Sequence, residues 1–330
     1  MSYKALLLTK NKEEEIQSSI NDVNDQENPE FDIKIKITYS TLNYKDCLAI
    51  SGVPGIIRSY PMVPGIDLVG EVIKEKNTAF EIGDEVILNG YGVGEKYWGG
   101  FAEFVNLKSN WLIKKPKGLS RRATMSIGTA GYTAMLCVME LLKYDLNPSK
   151  DEVLVSGATG GVGCISIIVL SRMGYNVIAL TGKKDKANFL KDLGAKELIF
   201  REDFSGPHKI LEAQRWKGAI DTVGGNTLSK ICASTKYNGV VAACGNAESI
   251  KINTSIAPFI LRNIKLMGVD SVYQENENRV LAWDKLSEIL DEEILDNISS
   301  YISMKEIPHY VREIMEGKNS GRVVVDINKS

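Results

Sequence analysis

The sequence predicts an α/β protein in which a doubly wound parallel sheet accompanies a compact, barrel-like β domain. Three observations carry that expectation. Beyond Ser120, continuous apolar runs alternate with helix-length segments, the pattern of a parallel sheet covered on both faces. Before Ser120, short strands are separated by glycine- and proline-containing turns. The 330 residues suffice for two domains of ordinary size.

The elements follow in order. Phe31–Tyr39 alternates apolar and polar side chains, the period of a half-buried strand, and shorter strands follow at Leu68–Lys74, Glu85–Leu88 and Phe101–Val105. Thr129–Leu142 is apolar, helix-length and free of proline, and the loop Asn147–Asp151 closes it. Strand Glu152–Ser156 then leads to a helix from Gly161 to about Met173, strand Val177–Leu180, helix Lys186–Leu193 and strand Glu197–Phe200. Strand Gly218–Val223, helix Thr227–Thr235 and strands Gly239–Cys244 and Lys265–Val269 complete the alternation, with right-handed crossovers expected. Near the end, Met304–Glu316 places Ile307, Val311, Ile314 and Met315 on one helical face. The final run Gly321–Ile327 reads as a strand, and periodicity leaves open which domain it joins.

Composition narrows the function. Lys and Arg total 40 against 42 Asp and Glu, a net charge of -2, so no concentrated positive face for nucleic acid is expected. No apolar run reaches the roughly 18 residues of a membrane helix. The start turns acidic by Glu13–Glu15, leaving no signal-peptide core, and a cytoplasmic location is expected. The five cysteines (Cys47, Cys137, Cys164, Cys232, Cys244) are widely spaced, so they read as reduced packing thiols and not as a metal site. His208 and His309 are the only histidines, each read as a surface or satisfied side chain, so chemistry that needs a histidine pair is not expected.

The sharpest signal is Val153-Leu-Val-Ser-Gly-Ala-Thr-Gly-Gly-Val-Gly163, an apolar strand running through a turn into a helix. Ala158, Gly160 and Gly163 occupy the three glycine positions of a dinucleotide fingerprint, with alanine at the first. Gly160 and Gly161 let the backbone approach a pyrophosphate, Gly163 lets the helix pack on the strand, and the helix N-terminus offers N–H donors. An NAD site would need a carboxylate roughly 20 residues on, for the ribose hydroxyls. The stretch Leu180–Lys184 has none. Thr181 can donate a hydrogen bond, Gly182 gives room, Lys183 or Lys184 can neutralise charge, and Arg201 can close the other side. NADPH is the expected cofactor.

Six motifs precede the glycine turn in order: Asn43–Asp46, Tyr60–Asp67, Gly83–Val86, Gly92–Glu95, Trp98–Phe101 and Gly128–Gly131. Asp221–Gly225, Ala243–Gly245, Pro258–Arg262, Gly268–Ser271 and Gly321–Val325 follow it. With these the whole chain resembles a zinc-independent medium-chain dehydrogenase/reductase of the acryloyl-CoA reductase and quinone oxidoreductase branch. The resemblance implies a GroES-like β-barrel domain of residues 1–122 with 297–330, into which a Rossmann NADP(H)-binding domain of residues 123–296 is inserted. It also implies NADPH, a homodimer, and a cofactor lining of Tyr44, Thr159, Gly160, Gly161, Val162, Thr181, Gly182, Lys183, Arg201, Cys244, Ile260, Ser271 and Asn319.

Where zinc alcohol dehydrogenases carry their metal ligands, this sequence has Asn43, Ile66 and about Thr129, none a tight zinc ligand. Without a Lewis acid, alcohol oxidation would lose several kcal/mol of transition-state stabilisation. Hydride delivery to an already polarised acceptor remains: the C=C bond of a short α,β-unsaturated acyl-CoA, such as acryloyl-CoA, or alternatively a quinone. A non-catalytic NADPH-binding sensor is the further alternative. For the thioester, hydride goes to the β-carbon, donors hold the enolate oxygen, and a proton reaches the α-carbon. Asn43 as donor, Tyr44 as cofactor contact or proton source, and Asp46 as orienting acceptor are the catalytic candidates, each also readable as a turn-capping residue. Asp67 reads first as a turn residue, and Cys47 as packing. Arg58 and Arg262 are the nearest cations for the CoA phosphates, and both also read as surface ion-pair partners.

Overall fold

The computed structural model describes residues 2–329. It begins with strands β1 (Ser2–Lys10), β2 (Ile16–Asn24) and β3 (Ile33–Thr41) and helix α1 (Tyr44–Ile50). Strands β4 (Asp67–Glu75), β5 (Glu85–Asn89), β6 (Phe104–Leu107) and β7 (Ile113–Lys114) lead to the helical segment α2 (Arg121–Leu141). The alternating stretch holds β8 (Glu152–Ser156), α3 (Gly161–Arg172), β9 (Asn176–Thr181), α4 (Ala187–Asp192), β10 (Ala195–Phe200) and α5 (Arg201–Phe204). It continues through β11 (Trp216–Asp221), α6 (Gly225–Ser234), β12 (Thr235–Ala243), α7 (Ala257–Leu261) and β13 (Lys265–Gly268). Helices α8 (Asn276–Ile289) and α9 (Glu292–Asn297), strand β14 (Ser299–Ser303), helix α10 (Ile307–Met315) and strand β15 (Arg322–Asp326) end the chain.

Two compact units result. One runs to Thr129 and resumes at Ser271; the other is Ala130–Asp270. The sequence-based boundaries at 122 and 297 differ from these, for identifiable reasons. Gly128, with φ 49° and ψ -160°, breaks α2 next to the first boundary. Helix α8 goes with the first unit because Arg279 Nη1 donates to Asn89 O at 2.6 Å and Trp283 Nε1 to Asn89 Oδ1 at 3.1 Å.

The first unit is built on a seven-stranded sheet ordered β14-β15-β3-β4-β5-β7, with β6 also paired to β3. Its alternation is that of the sequence: Ile33, Ile35 and Ile37 are buried, while Lys36 between them is exposed. Inward residues of β4, β5 and β15, including Leu68, Val72, Leu88 and Val325, join the same core. The chain's last strand belongs here, since β15 pairs parallel with β14 and antiparallel with β3. Strands β1 and β2 form a separate antiparallel hairpin.

The second unit is a six-stranded sheet ordered β10-β9-β8-β11-β12-β13, every pairing parallel. Counted within the unit, this is the 3-2-1-4-5-6 order of a doubly wound dinucleotide-binding fold, whose strand order reverses between β8 and β11. Leu154, Ile178, Trp216 and Val241 lie in its core. The strands therefore read as apolar runs, being covered on both faces.

Candidate coenzyme and active sites

In the second unit the chain leaves β8 at the switch point, where such folds bind ligands. Gly157 turns it with φ 58°, so Ala158 needs no left-handed conformation and its methyl group is tolerated. Gly163 has no room for a side chain against the main chain: a Cβ there would lie 2.4 Å from Gly157 O and 2.8 Å from Ala158 Cα. Gly160 caps α3 in extended backbone without a side-chain capping bond, and the first main-chain bond into the helix is Cys164 N–H to Gly160 O at 2.8 Å. The N–H groups of Gly161, Val162 and Gly163 stand at the start of a positive helix dipole, suited to a pyrophosphate. Thr159 lies buried in the same turn.

The end of β9 supplies the second half of this site. Buried Thr181 accepts the Lys183 main-chain N–H on its hydroxyl at 3.0 Å, which shapes the turn. Burial, with Lys186 nearby, pulls the Lys183 ammonium below its usual pKa. Lys184 is engaged by Glu202, so that carboxylate has its own cation. Arg201 lies directly over Gly182 and has no carboxylate or hydrogen-bond partner for its guanidinium among the described residues. Gly182, Arg201, Lys184, Phe200, Glu202 and Ser205 line a cavity of about 320 Å³. With Glu202 paired to Lys184, the Arg201 guanidinium gives this cavity a cationic wall that suits a phosphate-bearing ribose.

The other expected coenzyme residues are more dispersed. Half-buried Cys244 follows β12, its main-chain N–H donating to Asp221 O at 2.9 Å. Ile260 lies on α7, 68% exposed. Ser271 and Asn319 belong to the first unit: Ser271 O accepts from Arg279 Nη2 at 3.3 Å, and the Asn319 N–H donates to Glu313 O at 3.2 Å. Arg262 is neither a free cation nor a surface ion-pair partner. Its guanidinium donates to the carbonyls of Ala233 at 2.7 Å and Thr235 at 3.4 Å, fastening the end of α6. Arg58 is exposed, without a side-chain partner among the described residues.

Within the first unit, Asn43 begins α1 as the N-terminal residue of a capping box. Its main-chain N–H donates to Asp46 Oδ2 at 2.9 Å, and Asp46 Oδ1 accepts the Ile66 N–H at 3.0 Å. The Asn43 amide nitrogen faces Asp67 Oδ2 at 2.8 Å, Thr41 Oγ1 at 2.9 Å and Asp46 Oδ2 at 3.3 Å, while its Oδ1 accepts from Arg322 Nη2 at 3.3 Å. The sequence casts Asn43 as a donor to substrate. In the structure both amide hydrogens are directed at protein oxygens, so its place is that of an organising residue. The same holds for Asp46, whose two oxygens grip main-chain N–H groups. Tyr44, the first helical residue, is 45% exposed, and its hydroxyl has no partner among the described residues.

Asp67, a turn residue by sequence alone, is the hub. It is fully buried and accepts from the Thr41 hydroxyl, the Thr129 hydroxyl, the Thr129 N–H at 2.9 Å and Asn89 Nδ2 at 2.6 Å. Arg322 joins through Asn43 and through Ser126 O, to which its Nε donates at 2.9 Å. Thr41, Asn89 and Arg322 carry no site signal in the sequence, beyond the place of Arg322 in a terminal strand. Of the positions aligned with zinc ligands, Asn43 and Thr129 both bond Asp67, and Ile66 offers only its main chain. Among the described residues no cluster of three or more His, Cys, Asp or Glu could hold a metal ion. No helix among them is long and apolar enough to cross a membrane.

Comparison with known proteins agrees with this geometry. The alcohol dehydrogenase GroES-like domain family matches residues 29–117, and the zinc-binding dehydrogenase family residues 161–287. The acrylyl-CoA reductase AcuI of Ruegeria pomeroyi is 38% identical over 328 residues, which cover 99% of each chain. The crystal structure of Escherichia coli K-12 YhdH with bound NADPH superposes with a TM-score of 0.95 at 42% identity, covering 98% of this chain and 100% of that one. Bacillus subtilis YhfP with NAD bound also gives 0.95, at 38% identity and 99% coverage of both chains. A sheet of this order, a glycine turn at its switch point and likeness along nearly the whole chain make this protein a member of the medium-chain dehydrogenase/reductase family, on the branch of the acrylyl-CoA reductases and quinone oxidoreductases.

Proposed function

We propose that this oxidoreductase uses NADPH to reduce the C=C bond of a short α,β-unsaturated acyl-CoA, acryloyl-CoA to propionyl-CoA, without a metal. The observation that carries the reading is likeness to acrylyl-CoA reductase along 99% of the chain, at 38% identity. Arg201 over Gly182, with no acidic residue in Thr181–Lys184, supports NADPH over NADH. When bound, NADPH supplies the hydride. The protein's own groups account for the rest. The turn Thr159–Val162 and the α3 N-terminus hold the pyrophosphate, and Lys183 and Arg201 take the additional phosphate. The Tyr44 hydroxyl, exposed and unpaired among the described residues, serves as proton carrier to the substrate α-carbon. Asn43, Asp46 and Asp67 hold the first turn of its helix.

The donor set supports the metal-free reading. At the three aligned positions there is one amide, one hydroxyl and one alkyl side chain, and the first two are bonded to Asp67. We extend the reading to a homodimer joined edge to edge through the six-stranded sheets, whose outer strands are β10 and β13.

The test is NADPH consumption with acryloyl-CoA, crotonyl-CoA and a benzoquinone, with NADH in parallel and a chelator present. The expected result is the highest specificity constant for acryloyl-CoA, a preference for NADPH and no loss to the chelator. A higher constant for the quinone would replace this reading with that of a quinone reductase. NADPH binding without turnover of any acceptor would leave only a sensor.

A further inference from the structure

Asn89 ends β5, is 2% exposed, and belongs to none of the motifs or coenzyme-binding segments described above. Its side chain works in both directions. Nδ2 donates to Asp67 Oδ1 at 2.6 Å, and Oδ1 accepts from Trp283 Nε1 at 3.1 Å. Its main-chain oxygen accepts from Arg279 Nη1 at 2.6 Å. Each neighbour reaches a different part of the proposed site. Asp67 holds the Asn43 amide at 2.8 Å, and Asn43 starts the helix of Tyr44. Arg279 Nη2 donates to Val272 O at 2.7 Å and Ser271 O at 3.3 Å, and its Nε donates to Gln274 O at 3.0 Å. The Arg279 guanidinium also lies 4.3 Å from the centre of the Tyr91 ring, whose main-chain N–H donates to the same Val272 O at 3.1 Å.

We infer that Asn89 is a positioning residue: through Asp67 on one side and Trp283 with Arg279 on the other, it keeps the Asn43–Tyr44 segment in register with the Ser271–Gln274 segment. Asp67, Trp283 and Arg279 are 0%, 1% and 2% exposed, so water does not compete for these bonds. A buried polar network in a low-dielectric interior is directional, and satisfying it admits one arrangement of the segments it joins. An apolar side chain at position 89 would fill the space without specifying that arrangement. The consequence for turnover rests on the reductase reading, because a displacement of about 1 Å in a reacting group costs on the order of 10²-fold in rate.

The experiment compares Trp283→Phe, which removes one N–H and keeps a buried ring, with Asn89→Ala and the double variant, all in the full chain. Two readouts are taken: kcat with acryloyl-CoA alongside the NADPH dissociation constant, and amide hydrogen exchange at 43–46 and 271–274. Trp283→Phe is expected to lower kcat by about 5-fold and Asn89→Ala by about 30-fold, with NADPH affinity within about 2-fold. The double variant is expected to be no slower than Asn89→Ala, since both changes cut one connection. Exchange is expected to rise by about 10-fold in both segments while the strands of the sheet stay protected. Losses in kcat that multiply, or exchange at 43–46 unchanged in Trp283→Phe, overturn the assignment. Should the wild-type protein not turn over acryloyl-CoA, the substrate reading fails by itself, and exchange decides the role of Asn89 alone. Should Asn89→Ala fail to fold, Trp283→Phe decides it.

Discussion

Arg201 lies so close over Gly182 that a Cβ on the glycine would stand 2.9 Å from the Arg201 Cζ. Any side chain at position 182 therefore moves the guanidinium. The two residues act as one device, the glycine making the place that the arginine fills.

Arg201→Ala is expected to raise the KM for NADPH by about 10- to 100-fold, the range for losing a hydrogen bond to a charged group. Constants for NADH should stay within about 2-fold, because that coenzyme lacks the phosphate. Gly182→Val should reproduce the loss by displacement. Initial rates with both coenzymes check this, and an equal loss for both would place Arg201 elsewhere.

Tyr44→Phe is expected to lower kcat with acryloyl-CoA by about 10²-fold, at the low end for losing a general acid. Coenzyme binding, followed by fluorescence titration, should barely change. A phenylalanine enzyme of wild-type speed would assign the proton to solvent.

The glycines of the turn separate stability from coenzyme binding. Gly163→Ala drives a methyl group to 2.4 Å from Gly157 O and should destabilise the chain by about 1–3 kcal/mol in urea unfolding. At Gly160 the backbone is extended and a methyl group would meet Gly157 O at 3.3 Å, a tight contact that a shift of a few tenths of an ångström relieves. Gly160→Ala should therefore lose less stability than Gly163→Ala while binding NADPH more weakly.

Asp46 predicts a pH effect. Complete burial, reinforced by the charge of Asp67, pushes its carboxyl up to about 7, against the downward pull of the N–H groups of Asn43 and Ile66. In the unfolded chain it titrates near its ordinary 3.8. Between these values the folded protein keeps a proton that the unfolded chain has released. Its contribution to stability is thus fully present below pH 3.8, falls as pH rises to about 7, and is constant above. Asp46→Asn should lack this decline. Between pH 4.5 and 7.5 the urea curves of the two proteins should therefore diverge by a few kcal/mol, at about 1.4 kcal/mol for each tenfold change in proton affinity. Parallel behaviour of the two proteins over that interval would refute it.

The second unit is legible in the sequence because its information is local. Val153–Val155 and Val177–Leu180 are unbroken apolar runs, and the glycine turn lies between a strand and a helix in one stretch of chain. The Asp67 hub is not legible. Asn43 and Arg322 meet from 279 positions apart, and Thr41, Asn89 and Thr129 are ordinary polar residues until the sheet folds them round one carboxylate. Helix α8 is hidden because exposed Val280 and Leu281 precede buried Ala282 and Trp283, which blurs any single apolar face. The β1–β2 hairpin is hidden too: β2 is largely exposed and polar, and Leu6-Leu-Leu8 masks the alternation of β1.

An activated alkene that accepts hydride at its β-carbon accepts a thiolate there as well, so acryloyl thioesters alkylate cysteine. Cys47, Cys137, Cys164 and Cys232 are sealed in the interior. Burial pushes the Cys47 and Cys232 thiols up, away from their reactive anions, and a hydrogen bond with Cys244 together with burial does the same to Cys137. Only Cys244 is partly open to solvent. On the proposed reading, the packing that stabilises the fold thus also shields the protein from alkylation by its own substrate, and leaves a single thiol where such self-inflicted damage would begin.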